Sequence, residues 1–184
     1  MTPIFITHFT VGSPYEKEAL ELQETGKLVG VDVTLFPTSH QGSWVANAAF
    51  KANLIRDAHE GGDPIVWIDA DARFRKEPDF FDGLDCDFAA HTRGGRELLS
   101  GTLYFGNTPL SLMLVKRWIE INNLNPNRWD QKNLDSALRF LRMPVHELPA
   151  TYCQIFDIMR NVGDPVIEHM QASRRHRRVM NARR

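Results

Sequence analysis

Three short apolar, β-prone runs separated by two helical stretches, all within residues 3–68, constrain this chain more than any other feature. The first run, Pro3-Ile4-Phe5-Ile6-Thr7-His8-Phe9, reads as a strand that passes into the loop Thr10-Val11-Gly12-Ser13-Pro14. Ser13 is placed to cap, and Pro14 to open, a helix to about Lys27, with Ala19, Leu20 and Leu22 set among charged residues and Gly26 and Gly30 at its end. Val31-Asp32-Val33-Thr34-Leu35-Phe36 alternates apolar and polar residues, which predicts a second strand stopped by Pro37. The spacing of Val45, Ala48, Ala49, Ala52, Ile55 and Ala58 predicts one helix over 44–59, ended by Gly61-Gly62. Pro64-Ile65-Val66-Trp67-Ile68 is continuously apolar, the pattern of a strand buried on both faces of a parallel sheet. Strand, helix, strand, helix, strand in this order specifies an α/β domain with right-handed crossovers. In such folds ligands bind at the carboxyl ends of the strands.

Composition narrows the class. At 184 residues, 42% hydrophobic and 24% charged, the chain has the profile of one soluble globular domain, and disorder is excluded. It holds no apolar run of the ~18 residues that a membrane-spanning helix needs, and its Met1 end lacks the basic and apolar regions of a secretory signal. The expected location is therefore the cytoplasm. Cys86 and Cys153 are too few and too unpatterned for a disulfide framework or a four-ligand zinc site, and read as small buried hydrophobes. The net charge of −1 is uneven: residues 174–184 hold six arginines and no acid, leaving 16 basic against 23 acidic residues over 1–173. This divides the chain into an acidic domain, 1–173, and a basic tail, 174–184, of a kind that meets a phosphate backbone, an anionic membrane surface or an acidic partner.

Beyond Ile68 the text is acidic and loop-like, then β-prone again at Phe88-Ala89-Ala90-His91 and at Leu99 to Phe105. Helices are expected over 109–122 and 130–141, and short strands at 145–148 and 166–169. No internal repeat or long linker interrupts this order, so one domain is expected.

The chemistry concentrates at Asp69-Ala70-Asp71, directly after the third apolar run. Carboxylates at i and i+2 of an extended segment share one side and can converge on one ion at the mouth of the sheet. Hard oxygen ligands suit Mg²⁺ or Mn²⁺, with phosphate oxygens completing the shell. On the residues alone a solvated turn is the competing reading of this tripeptide.

At this point the chain resembles the nucleotide-diphospho-sugar transferases of the GT-A fold, whose metal motif is D-x-D at the end of a hydrophobic strand. Ile65-Val66-Trp67-Ile68-Asp69-Ala70-Asp71 is similar to that motif. Ser100-Gly101-Thr102-Leu103-Tyr104-Phe105-Gly106-Asn107-Thr108-Pro109 resembles the strand that lines the sugar pocket and leads into a helix. Trp129-Asp130-Gln131-Lys132-Asn133-Leu134 resembles the D-Q-x-x-(L/F)-N segment of glycosyltransferase families 8 and 77, although Asp135 stands where the pattern has Asn. The resemblance spans residues 1–173 and implies a single GT-A-like domain with a mostly parallel central sheet flanked by helices. It further implies a nucleotide-sugar donor, UDP-sugar by class, Mn²⁺ or Mg²⁺, and a hydroxyl acceptor that the chain does not identify.

Site residues follow from the same likeness. The late His169 joins Asp69 and Asp71 as a metal ligand, with His8, His91 and His146 as alternatives. Thr7, Phe9 and Tyr15 border the nucleoside. Lys51, one turn beyond Asn47, reaches sugar or phosphate. Ser100 and Thr102 offer hydroxyls beside Gly101, whose missing side chain admits the ligand to the backbone. Arg93, Arg96 and the intervening Gly94-Gly95 form a mobile loop over the diphosphate, and Ser173 and Arg174 approach it from the tail. Asp130, otherwise a helix cap, and Gln131 lie beside the anomeric carbon as base or as stabiliser of positive charge.

Three other functions fit the residues. One is the same core glycosylating a modified nucleic-acid base, with the arginine tail gripping the backbone. Another is a non-catalytic nucleotide-binding or regulatory module in which D-x-D is a turn. The third is a metal-dependent nucleotidyltransferase or phosphohydrolase.

Overall fold

The computed structural model describes residues 2–174 and 176. Strands β1 (Ile4–Thr10), β2 (Val33–Thr38) and β3 (Ile65–Ile68) pair in parallel through helices α1 (Pro14–Leu28), α2 (Trp44–Ala49) and α3 (Lys51–His59). The chain then forms β4 (Ala72–Phe74), β5 (Phe88–Arg93), β6 (Glu97–Phe105), α4 (Pro109–Leu124), α5 (Asp130–Leu141) and three short strands, β7 (His146–Glu147), β8 (Gln154–Ile155) and β9 (Ile167–His169). The main sheet has the order β2-β1-β3-β6-β5-β7, and a small sheet, β4-β9-β8, lies beside it. In the main sheet only β6 runs against its neighbours, so the sheet is mixed but mostly co-directional. No described helix is long and apolar enough to cross a membrane.

Period-2 alternation distributes β3 between two cores. Ile65 and Trp67 join Ile55, Leu114 and Trp118 beneath α3, α4 and α5, while Val66 and Ile68 join Leu22, Phe74, Phe81 and Tyr152 on the opposite face. All four β3 residues are buried, as a strand covered on both faces requires. Ser13 caps α1 by accepting from the Tyr15 amide at 3.2 Å, with Pro14 in the first turn.

Four local expectations are corrected. Pro37 does not stop β2, which continues to Thr38; β2 is the sheet edge, where a missing N–H costs least. The helix over 44–59 is two, α2 and α3, joined at Phe50, whose backbone is itself helical at φ −64°. The stretch after Ile68 is not all loop: β4 pairs with β9, and its Arg73 is buried because Glu18 and Glu21 of α1 neutralise it. The Arg93–Arg96 segment, expected as a loop over the diphosphate, is the tight turn of the β5–β6 hairpin, with Gly94 at φ 59° and Gly95 at φ 67°, conformations that glycine adopts without strain.

Of the two cysteines, both free, Cys153 is buried as expected, with an atom on a cleft wall, whereas Cys86 is only half-buried. Of the basic tail, Arg174 and His176 pack on the domain through Asp157 and Glu18, whereas Arg175 and residues 177–184 lie outside the described residues.

Gly106, at the end of β6, donates to the Asp87 carbonyl at 3.0 Å, and a Cβ there would overlap the carbonyl oxygen of Cys86. Because the obstacle is backbone, Gly106→Ala is expected to cost about 1–3 kcal/mol, an overpacking penalty. Thermal unfolding should show it as a drop of roughly 2–4 °C per kcal/mol.

Candidate active site

A cleft of about 730 Å³ opens where β1 and β3 end, a size suited to a small organic ligand. Its floor is built by three elements meeting at Lys51. The Lys51 ammonium, at the start of α3, contacts Asp69 Oδ1 at 3.1 Å, Asp130 Oδ2 at 2.9 Å and the Ser100 carbonyl at 3.3 Å. Its side chain is 4% exposed and that of Asp130 8%, so this is a buried ion pair. Burial opposes the Lys51 charge, but Asp130 and Asp69 outweigh burial and hold its pKa above the usual lysine range. Asp69 Oδ1 also accepts from Trp67 Nε1 at 2.8 Å. Desolvation raises the Asp69 carboxyl against the pull of Lys51.

Asp130 is the first residue of α5 rather than its cap, which is Trp129. It is fixed from behind: Trp118 Nε1 donates to the Asp130 carbonyl at 2.9 Å, and buried Asn133 one turn on donates to Asn122 Oδ1 at 2.9 Å. Gln131 Oε1 accepts from Ser100 at 3.4 Å, joining α5 to β6.

The opposite side of the floor comes from the small sheet. Register places His169 of β9 beside Ala72 of β4, and the Met170 amide donates to the Asp71 carbonyl at 3.0 Å. Asp71 Oδ2 accepts from the Ala172 amide at 2.7 Å, and Asp71 Oδ1 stands 3.8 Å from His169 Nδ1. Burial works against the Asp71 charge, yet His169 and the Ala172 amide carry its pKa below the usual range. Burial likewise disfavours protonated His169, but Cys153 and Asp71 push its pKa up to about 10. His169 Nε2 is also 2.9 Å from Thr102 Oγ1. Gly101 is required here because a Cβ would lie 2.7 Å from the imidazole.

These residues bear on the expected cation. Among the described residues, no group of three His, Cys, Asp or Glu side chains is close enough to hold an ion unaided. Asp71 and His169 supply two neighbouring donors, and Mg²⁺ takes only one or two carboxylates from many proteins when substrate phosphates supply the rest. A cation at this place would therefore have to take most of its ligands from a diphosphate rather than from the protein.

Of the residues singled out in the sequence, the cleft is lined by Phe9, Tyr15, Lys51, Asp69, Asp71, Ser100, Gly101, Asp130, Gln131, His169, Ser173 and Arg174. His8 also lines it; burial and Lys51 lower its pKa to about 4, so the ring is neutral. Tyr15, with its phenol raised by burial, accepts from Trp44 Nε1 at 3.0 Å. Thr7 and Arg93 are not brought to the cleft. Thr7 is buried within β1, and Arg93 pairs with Glu97 across the hairpin. Arg96, His91 and His146 are likewise elsewhere: Arg96 borders a separate hollow beside α5, His91 meets the Leu148 carbonyl, and His146 lies on short strand β7. Sequence reasoning missed Trp44, Trp129, Glu97 and Cys153 as lining residues. Trp129 was detectable as the neighbour of Asp130; the others carry no local signal.

No protein-family model matches this chain, and no curated protein sequence matches it. Solved structures do. A glycosyltransferase involved in glycosylation of the major capsid of PBCV-1 superposes with TM-score 0.70 at 20% identity, over 97% of this chain and 99% of that one. The glycosyltransferase GlyE of Streptococcus pneumoniae TIGR4 gives TM-score 0.63 at 13% identity, over 91% of this chain but only 54% of its own. Mouse xyloside xylosyltransferase 1 gives 0.56 at 10% identity, over 93% and 98%. The fold is therefore that of glycosyltransferases, a single GT-A-like domain.

Lys51 is expected to dominate stability at this site. Lys51→Met leaves two carboxylates facing each other without a cation, and loss of one partner of a buried pair costs about 3–5 kcal/mol. Removing the charge of Asp130 as well, in Lys51→Met/Asp130→Asn, should recover part of that loss. Urea unfolding of the two variants and the wild type measures both effects.

Proposed function

We propose that this protein is a glycosyltransferase that takes a sugar from a nucleoside-diphosphate donor, UDP-sugar by preference, with Mn²⁺ or Mg²⁺ that Asp71 and His169 would hold together with the donor diphosphate, the third expected ligand, Asp69, being engaged by Lys51. The observation that carries the reading is the convergence of Asp69, Asp71, Lys51, Asp130 and His169 on one cleft at the strand ends of a glycosyltransferase fold. Fold alone would not suffice, since one architecture hosts many activities.

Each part of the cleft answers a need of the transfer. In the reaction the anomeric carbon–oxygen bond breaks, its electron pair stays with the diphosphate, and the acceptor oxygen bonds to the anomeric carbon as its proton leaves. A bound divalent ion supplies positive charge to the departing diphosphate. Arg174, also on the cleft wall, adds a guanidinium for the same oxygens. Phe9, Tyr15 and neutral His8 form the aromatic wall for the nucleoside. Asp130, held in place by Lys51, is the carboxylate that balances positive charge growing on the sugar ring. Lys51 thus orients Asp69 and Asp130 together and prevents their mutual repulsion.

A thermal-shift panel of UDP, GDP, CDP and ADP, each with Mn²⁺, Mg²⁺ or EDTA, tests the reading. UDP with Mn²⁺ at about 100 times its dissociation constant should stabilise by roughly 2.7 kcal/mol, a shift on the order of 5–10 °C. EDTA should remove most of it, and Asp71→Asn should abolish the metal-dependent part. A cooperatively melting protein that no nucleotide shifts is a non-catalytic module, and release of pyrophosphate or phosphate from a free nucleotide marks a different enzyme class.

A further inference from the structure

Behind β6, on the side away from the cleft, lies a second hollow of about 310 Å³. Alternation along the strand separates the two: Glu97 and Leu99 face the cleft, whereas Leu98 and, just ahead of the strand, Arg96 face the hollow. The floor of the hollow is apolar, made by the buried side chains of Leu98, Leu138 and Met143. Its rim is cationic. Arg96 comes from the β5–β6 turn, Arg139 from the last turn of α5, and Arg142 from the residue that ends α5.

The fold does not use these charges. Arg96 and Arg142 are exposed, and neither side chain makes an ion pair or a hydrogen bond among the described residues. Arg139 pairs with Asp135 at 3.0 Å, but the pair is open to water and therefore weak. The other carboxylates nearby are engaged: Glu97 by Arg93, and Glu147 by His91 and the Thr92 amide. Arg142 is also held in the left-handed conformation, φ 50° and ψ 36°, at a helix end where glycine is the unstrained residue. A long cation thus occupies a glycine position without a partner inside the fold to offset the strain.

The surroundings favour an anion. Arg128 and Lys132 are exposed near the start of α5, so four exposed cations from 128 to 142 stand against the one carboxylate of Asp135, in a chain whose residues 1–173 hold 16 bases and 23 acids. Guanidinium forks match phosphate oxygens in pairs, and three forks from two elements suit a tetrahedral dianion better than a planar carboxylate. The apolar floor calls for an organic group on that phosphate.

We propose that the hollow is a second ligand site that binds a small phosphomonoester, its phosphate held by Arg96, Arg139 and Arg142 and its organic group resting on Leu98, Leu138 and Met143. The site is separate from the cleft and does not depend on the reaction proposed there.

Amide NMR titrations of the full chain at low salt, with phenyl phosphate, inorganic phosphate and dimethyl phosphate as probes, test it. Phenyl phosphate should shift the amides of Gly95, Arg96, Arg142 and Met143 and bind more tightly than inorganic phosphate, which lacks the apolar body. Arg142→Gly relieves the backbone, so it should keep or raise the melting temperature while weakening phenyl phosphate by about tenfold or more, the loss expected for a charged hydrogen bond. Arg96→Gln should also weaken binding, and Asp135→Asn, which frees Arg139, should tighten it. Shifts confined to the cleft or to residues 174–184 would overturn the proposal, as would unchanged binding in both arginine variants. Dimethyl phosphate, a singly charged diester, should bind least; binding equal to that of phenyl phosphate would replace the small monoester with the phosphodiester backbone of a polymer.

Discussion

One buried ammonium ties this molecule's site together. Lys51 contacts Asp69 just past the end of β3, Ser100 of β6 and Asp130 of α5, three places remote in sequence. A lysine removed from water is destabilising unless matched by opposite charge in good geometry. Here the match comes from carboxylates that would otherwise repel one another at the strand ends, so neither the cation nor the acids are tolerable alone. The arrangement explains why a polar cluster of this density persists over the hydrophobic floor of Ile65, Trp67 and Leu103.

The reversal of β6 is the second organising fact. Running against β3, it sets the Gly101 carbonyl to accept from the Asp69 amide at 2.8 Å and leaves the bare backbone of Gly101 against the His169 ring. A strictly parallel neighbour would give this part of the cleft a crossover connection. The small sheet then adds β9, and the Ala172 amide fixes the rotamer of Asp71. Acidic motif, glycine and late histidine are thus one packed unit drawn from three parts of the chain.

Much of this was legible where local rules dominate. Ser13-Pro14 marked the start of α1, the continuous apolar run marked β3, and α5 begins at Asp130 as its pattern indicates. Elements decided by distant partners were not legible. Three-residue β4 contains Arg73, whose burial depends on Glu18 and Glu21 more than 50 positions earlier. Arg93 looked free for a phosphate, but only hairpin register reveals Glu97 opposite it. Cys153 has the composition of a core residue, and only the path of the chain beside β8 turns it to the cleft.

The bond from Ala172 to Asp71 joins residues 101 positions apart, and β4 pairs with β9 over a similar span. Closing so long a loop is entropically costly until its ends are otherwise held, so such contacts form late in folding. During synthesis the strands and helices through α5 can collapse first, with Asp71 lacking its fixed orientation until β9 emerges and docks. The fixed orientation of Asp71 in the cleft therefore depends on residues 167–172, the last part of the described chain to join the fold's sheets.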